Sequence, residues 1–202
     1  MLMTDAPPKR RRGRPRKVDP DHMLDVAMQA YWQSDPADVS VNQICRLASV
    51  SKPSLYAAFG NEDGLTRAVL DRYAEQVLSD VFAILQAGRG LRPTLEALVD
   101  FATDDPRMAT GCVFTKMRNG KHRLGPETRA RVEEIDAAAR DAYGAVLQAA
   151  RDAGEWPEGT SVAVGARYLS EQVALAIVQR ASAEDPQEIR DALTLALSVF
   201  TR

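Results

Sequence analysis

The sequence predicts an all-α protein of one or two domains, a short helical head followed by a larger helical bundle. Three observations carry this. Apolar residues recur at steps of three and four along most of the 202-residue chain, which is the helical period. Ala and Leu are plentiful, and strand-like alternation is weak. The stretch Ser40–Phe59 holds two capped helices of about two turns each around a tight turn, a helix-turn-helix.

The first helix starts at Asp19, an N-cap followed by Pro20, with Val18 and Met23 placed to staple its entry. Leu24, Ala27, Met28, Tyr31 and Trp32 make one apolar stripe that ends before Ser34-Asp35-Pro36. That stripe is expected to hold the next two helices at a fixed angle. Ser40 and Gln43 form a capping box, Val39 and Ile44 a staple, and Ile44, Leu47 and Ala48 one apolar face. Ser49-Val50 breaks that face. Ser51 then restarts the pattern as a second N-cap, with Pro53 in the first turn, where its missing N–H has no helical partner to lose. Val50 and Leu55 repeat the staple, and Tyr56 and Phe59 carry the helix to Gly60.

Asn61 caps a fourth helix, expected over Glu62 to about Leu85, with Glu62 and Asp63 suiting its positive end. Pro93–Thr103 is a short helix broken by Asp104-Asp105-Pro106, and Gly111–Phe114 opens or lies within another that ends near Asn119-Gly120. Pro126–Gly154 carries the strongest pattern, a seam of Val132, Ile135, Ala139, Ala142, Val146, Ala149 and Ala153. Tyr143, Leu147 and Ala150 add a second apolar edge. Ser161 opens a helix that is apolar nearly all round from Leu169 to Val178, and a last helix runs from about Pro186 to Phe200. Apolar residues on two edges ask for burial in two places, one in the helix's own core and one elsewhere: either within a monomeric bundle or, since a DNA head needs a partner, against a second subunit. Tyr143, Val146, Leu147, Ala150, Leu169, Val173 and Ile177 are the residues expected at that interface.

The net charge of −2 conceals an asymmetry. Residues 1–17 carry seven cations against Asp5, a net +6, which leaves −8 on the remaining 185 residues. Such a basic tail wants a polyanion that the body does not. It lacks apolar periodicity and is expected to be disordered when free. Arg12, Arg14, Arg16 and Lys17, placed just before a helix-turn-helix, suit an arm that slips into a narrow minor groove. The expected division is an arm over 1–17, a DNA-binding head over 18–62 and a ligand-binding and dimerisation bundle over 63–202.

Other functions are disfavoured. The chain has only His22 and His122, no histidine pair at metal spacing, no Gly-rich phosphate loop and no nucleophile elbow. No enzyme, catalytic residue, metal or cofactor is therefore expected. Without an apolar run of about 18 residues or a signal-peptide pattern, no membrane partner is expected either, and the location should be cytoplasmic. A non-specific nucleic-acid coating protein driven by the tail is the remaining competitor, and an ordered helix-turn-helix argues against it.

Taken together, the chain resembles the TetR/AcrR family of transcriptional regulators. The resemblance rests on Gly13-Arg14-Pro15-Arg16, Val41–Val50, Ser51-Lys52-Pro53-Ser54-Leu55-Tyr56-Ala57-Ala58-Phe59, Leu65 and Leu70-Asp71-Arg72-Tyr73. It implies a homodimer with a three-helix DNA head and a C-terminal domain for an unidentified small-molecule effector, acting as a repressor on a palindromic operator in double-stranded DNA. By position, Lys52, Pro53 and Ser54 would face base edges or nearby backbone, Ser51 would cap the reading helix, and Ser40 and Tyr56 would meet phosphates. Two departures stand out: Ser49 occupies a turn position where the family often has Gly, and Asn61-Glu62-Asp63 lacks the family's frequent phosphate-binding Lys. Cys112, beside Phe114, is a candidate for ligand or redox sensing. Lys116, Arg118, Lys121 and His122 follow it, and the reading stays open between an inert packing thiol and a thiol switch. Cys45 is expected to be a small packing residue.

Overall fold

The computed structural model describes residues 19–157 and 159–201. The expected arm cations Arg12, Arg14, Arg16 and Lys17, and the staple residue Val18, lie outside them. Three helices form the head: α1 (Pro20–Gln33), α2 (Val41–Leu47) and α3 (Lys52–Phe59). Met23, Ala27 and Tyr31 of α1 are buried with Ile44 and Leu55, so α1 is the platform on which the other two are set. Ile44 and Ala48 are buried as their spacing predicts, but Leu47 is 57% exposed. Its place on the apolar face was an error: α2 ends there, and the chain turns away before anything covers it.

A fourth helix, α4 (Glu62–Tyr73), runs without a break through a π-helical stretch (Ala74–Leu78) into α5 (Ser79–Gln86). This is the single long helix expected, with one wide turn inside it. A π turn leaves backbone carbonyls poorly matched, and the Gln76 carbonyl accepts a hydrogen bond from Arg107 Nη1 at 3.0 Å. Residues of α4 pack on α1 and α3 at one end and on α8 along the other side, so this rod belongs to both head and body.

The body adds α6 (Leu91–Asp104), α7 (Val113–Asn119), α8 (Pro126–Asp152), α9 (Val162–Ala181) and α10 (Pro186–Leu197). Helix α6 starts two residues before the expected Pro93. Gly90 has no side chain to cap it, and Glu155 supplies the cap from 64 residues away, its Oε2 accepting from Leu91 N at 2.7 Å. Helices α8 and α9 cross closely at Gly165, where a Cβ would stand 2.9 Å from both Leu147 Cδ1 and Trp156 Cη2. No strand occurs among the described residues, and none of their helices is long and apolar enough to cross a membrane.

The expected interface residues need correction. Tyr143, Leu147, Ala150, Leu169, Val173 and Ile177 are all buried within the subunit, and Val146 is half-buried. Most of both apolar edges of α8 is covered by its own chain, by α4 and α5 on one side and α9 on another, but Ala149 and Ala153 at its C-terminal end are exposed and Val146 is half-buried. The apolar residues left uncovered are Val164, Tyr168, Leu175 and Val178 of α9 with Leu195 and Val199 at the end of α10, between 38% and 67% exposed. On α9 they follow steps of four, seven and three residues, one continuous stripe.

Candidate nucleic-acid interface

The reading helix is built by short-range capping. Ser40 Oγ accepts from Gln43 N at 3.2 Å, and Ser51 Oγ accepts from Ser54 N at 3.2 Å, so each head helix starts on a serine. Between them the turn closes as a Schellman motif: Ser49 N donates to Arg46 O and Val50 N to Cys45 O. Ser49 takes the left-handed conformation, φ +55°, that this motif usually reserves for Gly. The departure noted in the sequence is thus a strained turn of ordinary geometry.

At the other end of α3, the Phe59 carbonyl lies over the first turn of α4. A Cβ on Gly64 would come within 2.1 Å of that oxygen, so only Gly lets α4 approach and set the tilt of α3. Gly64 is a positioning residue that the sequence pattern gave no reason to single out.

The described residues expected at DNA gather on one side of the head. Ser40, Ser51, Lys52 and Pro53 are exposed, and Ser54 and Tyr56 are half-buried. Ser51 and Ser54 share a hydroxyl contact of 2.7 Å. Lys52 Nζ lies 5.5 Å from the centre of the Tyr56 ring, close enough for a cation–π contact. Helix α3 thus begins with a lysine and two hydroxyls.

Five acids lie in the head, and four of them are paired with arginines from outside it. Arg72 of α4 pairs with Asp21 and Asp25, and Arg123 with Asp35 and Asp38. Asp19 caps α1, accepting from Asp21 N. Asp63 has a different role from the reversed phosphate anchor suggested by its position. Its carboxylate accepts from Glu127 N at 2.8 Å, Thr128 N at 3.1 Å and Thr128 Oγ1 at 2.6 Å, capping α8 from another helix. Burial pushes this carboxyl up, but the Thr128 hydroxyl and the two N–H groups outweigh it and hold its pKa below the usual value.

Head and body are also joined through α1. Trp32, expected in the α1 core stripe, is instead turned toward the body. Its Nε1 donates to Gly111 O at 2.8 Å, its backbone carbonyl accepts from Lys116 Nζ, and its ring meets Tyr73 edge-on at 5.4 Å. Tyr73 in turn lines a cavity of about 80 Å³ in the body with Phe82, Cys112, Phe114, Ile135 and Tyr143. Cys112 and Phe114, the two candidate sensing residues, therefore share one cavity. Cys112 is buried and caps α7, its Sγ accepting from Thr115 N at 3.4 Å. Burial raises the pKa of both Tyr73 and Tyr143, with the neighbouring Cys112 thiol adding to it. Among the described residues, no cluster of three or more His, Cys, Asp or Glu is placed to hold a metal ion.

A capped helix-turn-helix head, joined by one long helix to an all-α body with an apolar cavity, defines the class of helical transcriptional regulators. Residues 23–69 match the model of bacterial regulatory proteins, tetR family. Over residues 23–69 the chain is therefore of the TetR family. Among its relatives in Escherichia coli K12, the transcriptional repressor ComR is 43% identical over 68 residues, covering 34% of this chain and 32% of ComR. The repressor BdcR is 31% identical over 120 residues, covering 58% of this chain and 59% of BdcR. The matches thus span about a third to three-fifths of those repressors. A structure of the regulator CifR, a cysteine mutant complexed with 26-bp operator DNA, superposes with a TM-score of 0.75 at 22% identity, covering 93% of this chain and all of CifR.

Proposed function

We propose that the protein is a ligand-responsive transcriptional repressor that binds a palindromic operator as a homodimer in the cytoplasm. The observation that carries the reading is the start of α3, where Ser51, Lys52 and Pro53 are exposed beside half-buried Ser54 and Tyr56, while four of the five acids of the head are paired with Arg72 and Arg123. In a helix-turn-helix those residues enter the major groove, and phosphate contacts by Ser40 and Tyr56 fix the register. The arm cations supply further phosphate contacts. The apolar stripe on α9 and α10 supports a helix-pair dimer, now built from Val164, Tyr168, Leu175, Val178, Leu195 and Val199. Two heads then read half-sites one helical turn apart.

The effector occupies the cavity beside Tyr73 and Cys112. Its occupation shifts α4 and, through the Trp32 contacts, the spacing of the heads, so that the operator no longer fits. Fluorescence anisotropy on the DNA upstream of the protein's own gene, at near-physiological salt, tests the core of this. Tight binding that survives excess unrelated duplex is expected. Equal loss of signal to any duplex would overturn it and leave a non-specific binder.

A further inference from the structure

Tyr73 Oη is buried at the cavity wall and, with Arg151 Nε, is one of two buried side-chain polar atoms without a hydrogen-bond partner among the described residues. A buried hydroxyl donor left unpaired is costly, and native proteins keep such groups where something else completes them. The rest of the cavity is mainly apolar, walled by Phe82, Leu85, Phe101, Phe114, Ile135 and Val173. Its polar end holds Arg118, Asp136 and Arg140. Those charges already answer one another: Arg118 lies 3.3 Å from Asp136 and 3.1 Å from Glu171, and Arg140 also pairs with Asp136.

We propose that the effector is a neutral, largely apolar molecule bearing an oxygen acceptor, such as a ketone or aldehyde carbonyl, which the Tyr73 hydroxyl donates to. This rests on the cavity being the effector site. Apolar walls select the body of the molecule, the lone donor selects its oxygen, and the self-compensated charges give an anion no advantage. Tyr73 also touches Trp32, so the bond forms at the point where cavity and head meet.

Acetophenone, isopropylbenzene and benzoate share a ring and differ in the group presented, and calorimetric titration compares them. Tyr73→Phe should weaken acetophenone relative to isopropylbenzene about two- to tenfold, the range for one neutral hydrogen bond. Benzoate should bind more weakly than acetophenone. Tyr73→Phe should leave isopropylbenzene unchanged. Acetophenone binding unchanged by Tyr73→Phe, an equal loss for isopropylbenzene, or tighter benzoate binding would each overturn the proposal. Failure of all three probes to bind at millimolar concentration overturns the cavity as an effector site, a different outcome from acetophenone binding that Tyr73→Phe leaves unchanged.

Discussion

Asp63 and Gly125 make a sharp test of how head and body are joined. The Asp63 carboxylate caps the 27-residue helix α8 with three hydrogen bonds, two of them from backbone N–H groups. Removing an N-cap costs about 0.5–2 kcal/mol, and removing an acid from a helix N-terminus about 0.3–1 kcal/mol more. Asp63→Ala should therefore destabilise the protein by about 2 kcal/mol, lowering its melting temperature by roughly 4–8 °C for a chain of this size. Gly125 lies against that carboxylate: a Cβ there would stand 2.2 Å from Asp63 Cγ. Its backbone, φ −66° and ψ 165°, suits any residue, so Gly125→Ala should cost stability only by evicting Asp63. Each single variant should then lose about the same, and the double variant little more than either. Thermal and urea denaturation of the four proteins measure the cycle. Additive losses would refute the geometry, as would an Asp63→Ala variant as stable as wild type. The pH dependence gives a second check. With its folded pKa below the ordinary carboxyl value of 3.8, Asp63 contributes fully above that pH. The contribution is lost as pH falls through the lower folded value, and Asp63→Ala should flatten this acid limb.

The turn of the reading unit makes a smaller prediction of opposite sign. Ser49→Gly relieves a left-handed residue worth about 1–2 kcal/mol and adds about 0.5–1 kcal/mol of chain entropy, so melting should rise by a degree or more with operator affinity unchanged. Leu175→Asp, at 50% exposure on the α9 stripe, should yield a folded monomer by analytical ultracentrifugation with weakened operator binding; a dimer of unaltered affinity would move the interface elsewhere. Deleting residues 1–17 should weaken operator binding strongly and lower its salt dependence, and an unchanged salt slope would remove the arm from the phosphate contacts. If Cys112 is the point of oxidant sensing, Cys112→Ser should hold DNA in the presence of peroxide; release equal to wild type assigns the thiol to packing alone.

Much of this protein was legible along the chain because capping is local. Asp19, Ser40, Ser51, Asn61 and Ser161 each accept from an N–H two or three residues on, so residue type and spacing were enough to place the helix starts. The face of α3 followed from the same spacing. What the chain alone left undecided was the use of each face. Periodicity shows that α8 and α9 have more than one apolar edge, but not which edge their own subunit covers. Tertiary packing buried Tyr143, Leu147 and Leu169 and left Val164, Leu175 and Leu195 outside. Charges were equally ambiguous until folded. Asp63 caps a helix 64 residues away, Arg72 and Arg123 draw the acids of the head toward the body, and Trp32 joins α1 to α7. Local hydrogen bonds and helical period therefore determined the elements and the reading helix, because they act within one or two turns. The exposed apolar stripe of α9 and α10, the apolar cavity and the joint between head and body were decided only in three dimensions, where distant helices compete to cover the same apolar surface and satisfy the same charges.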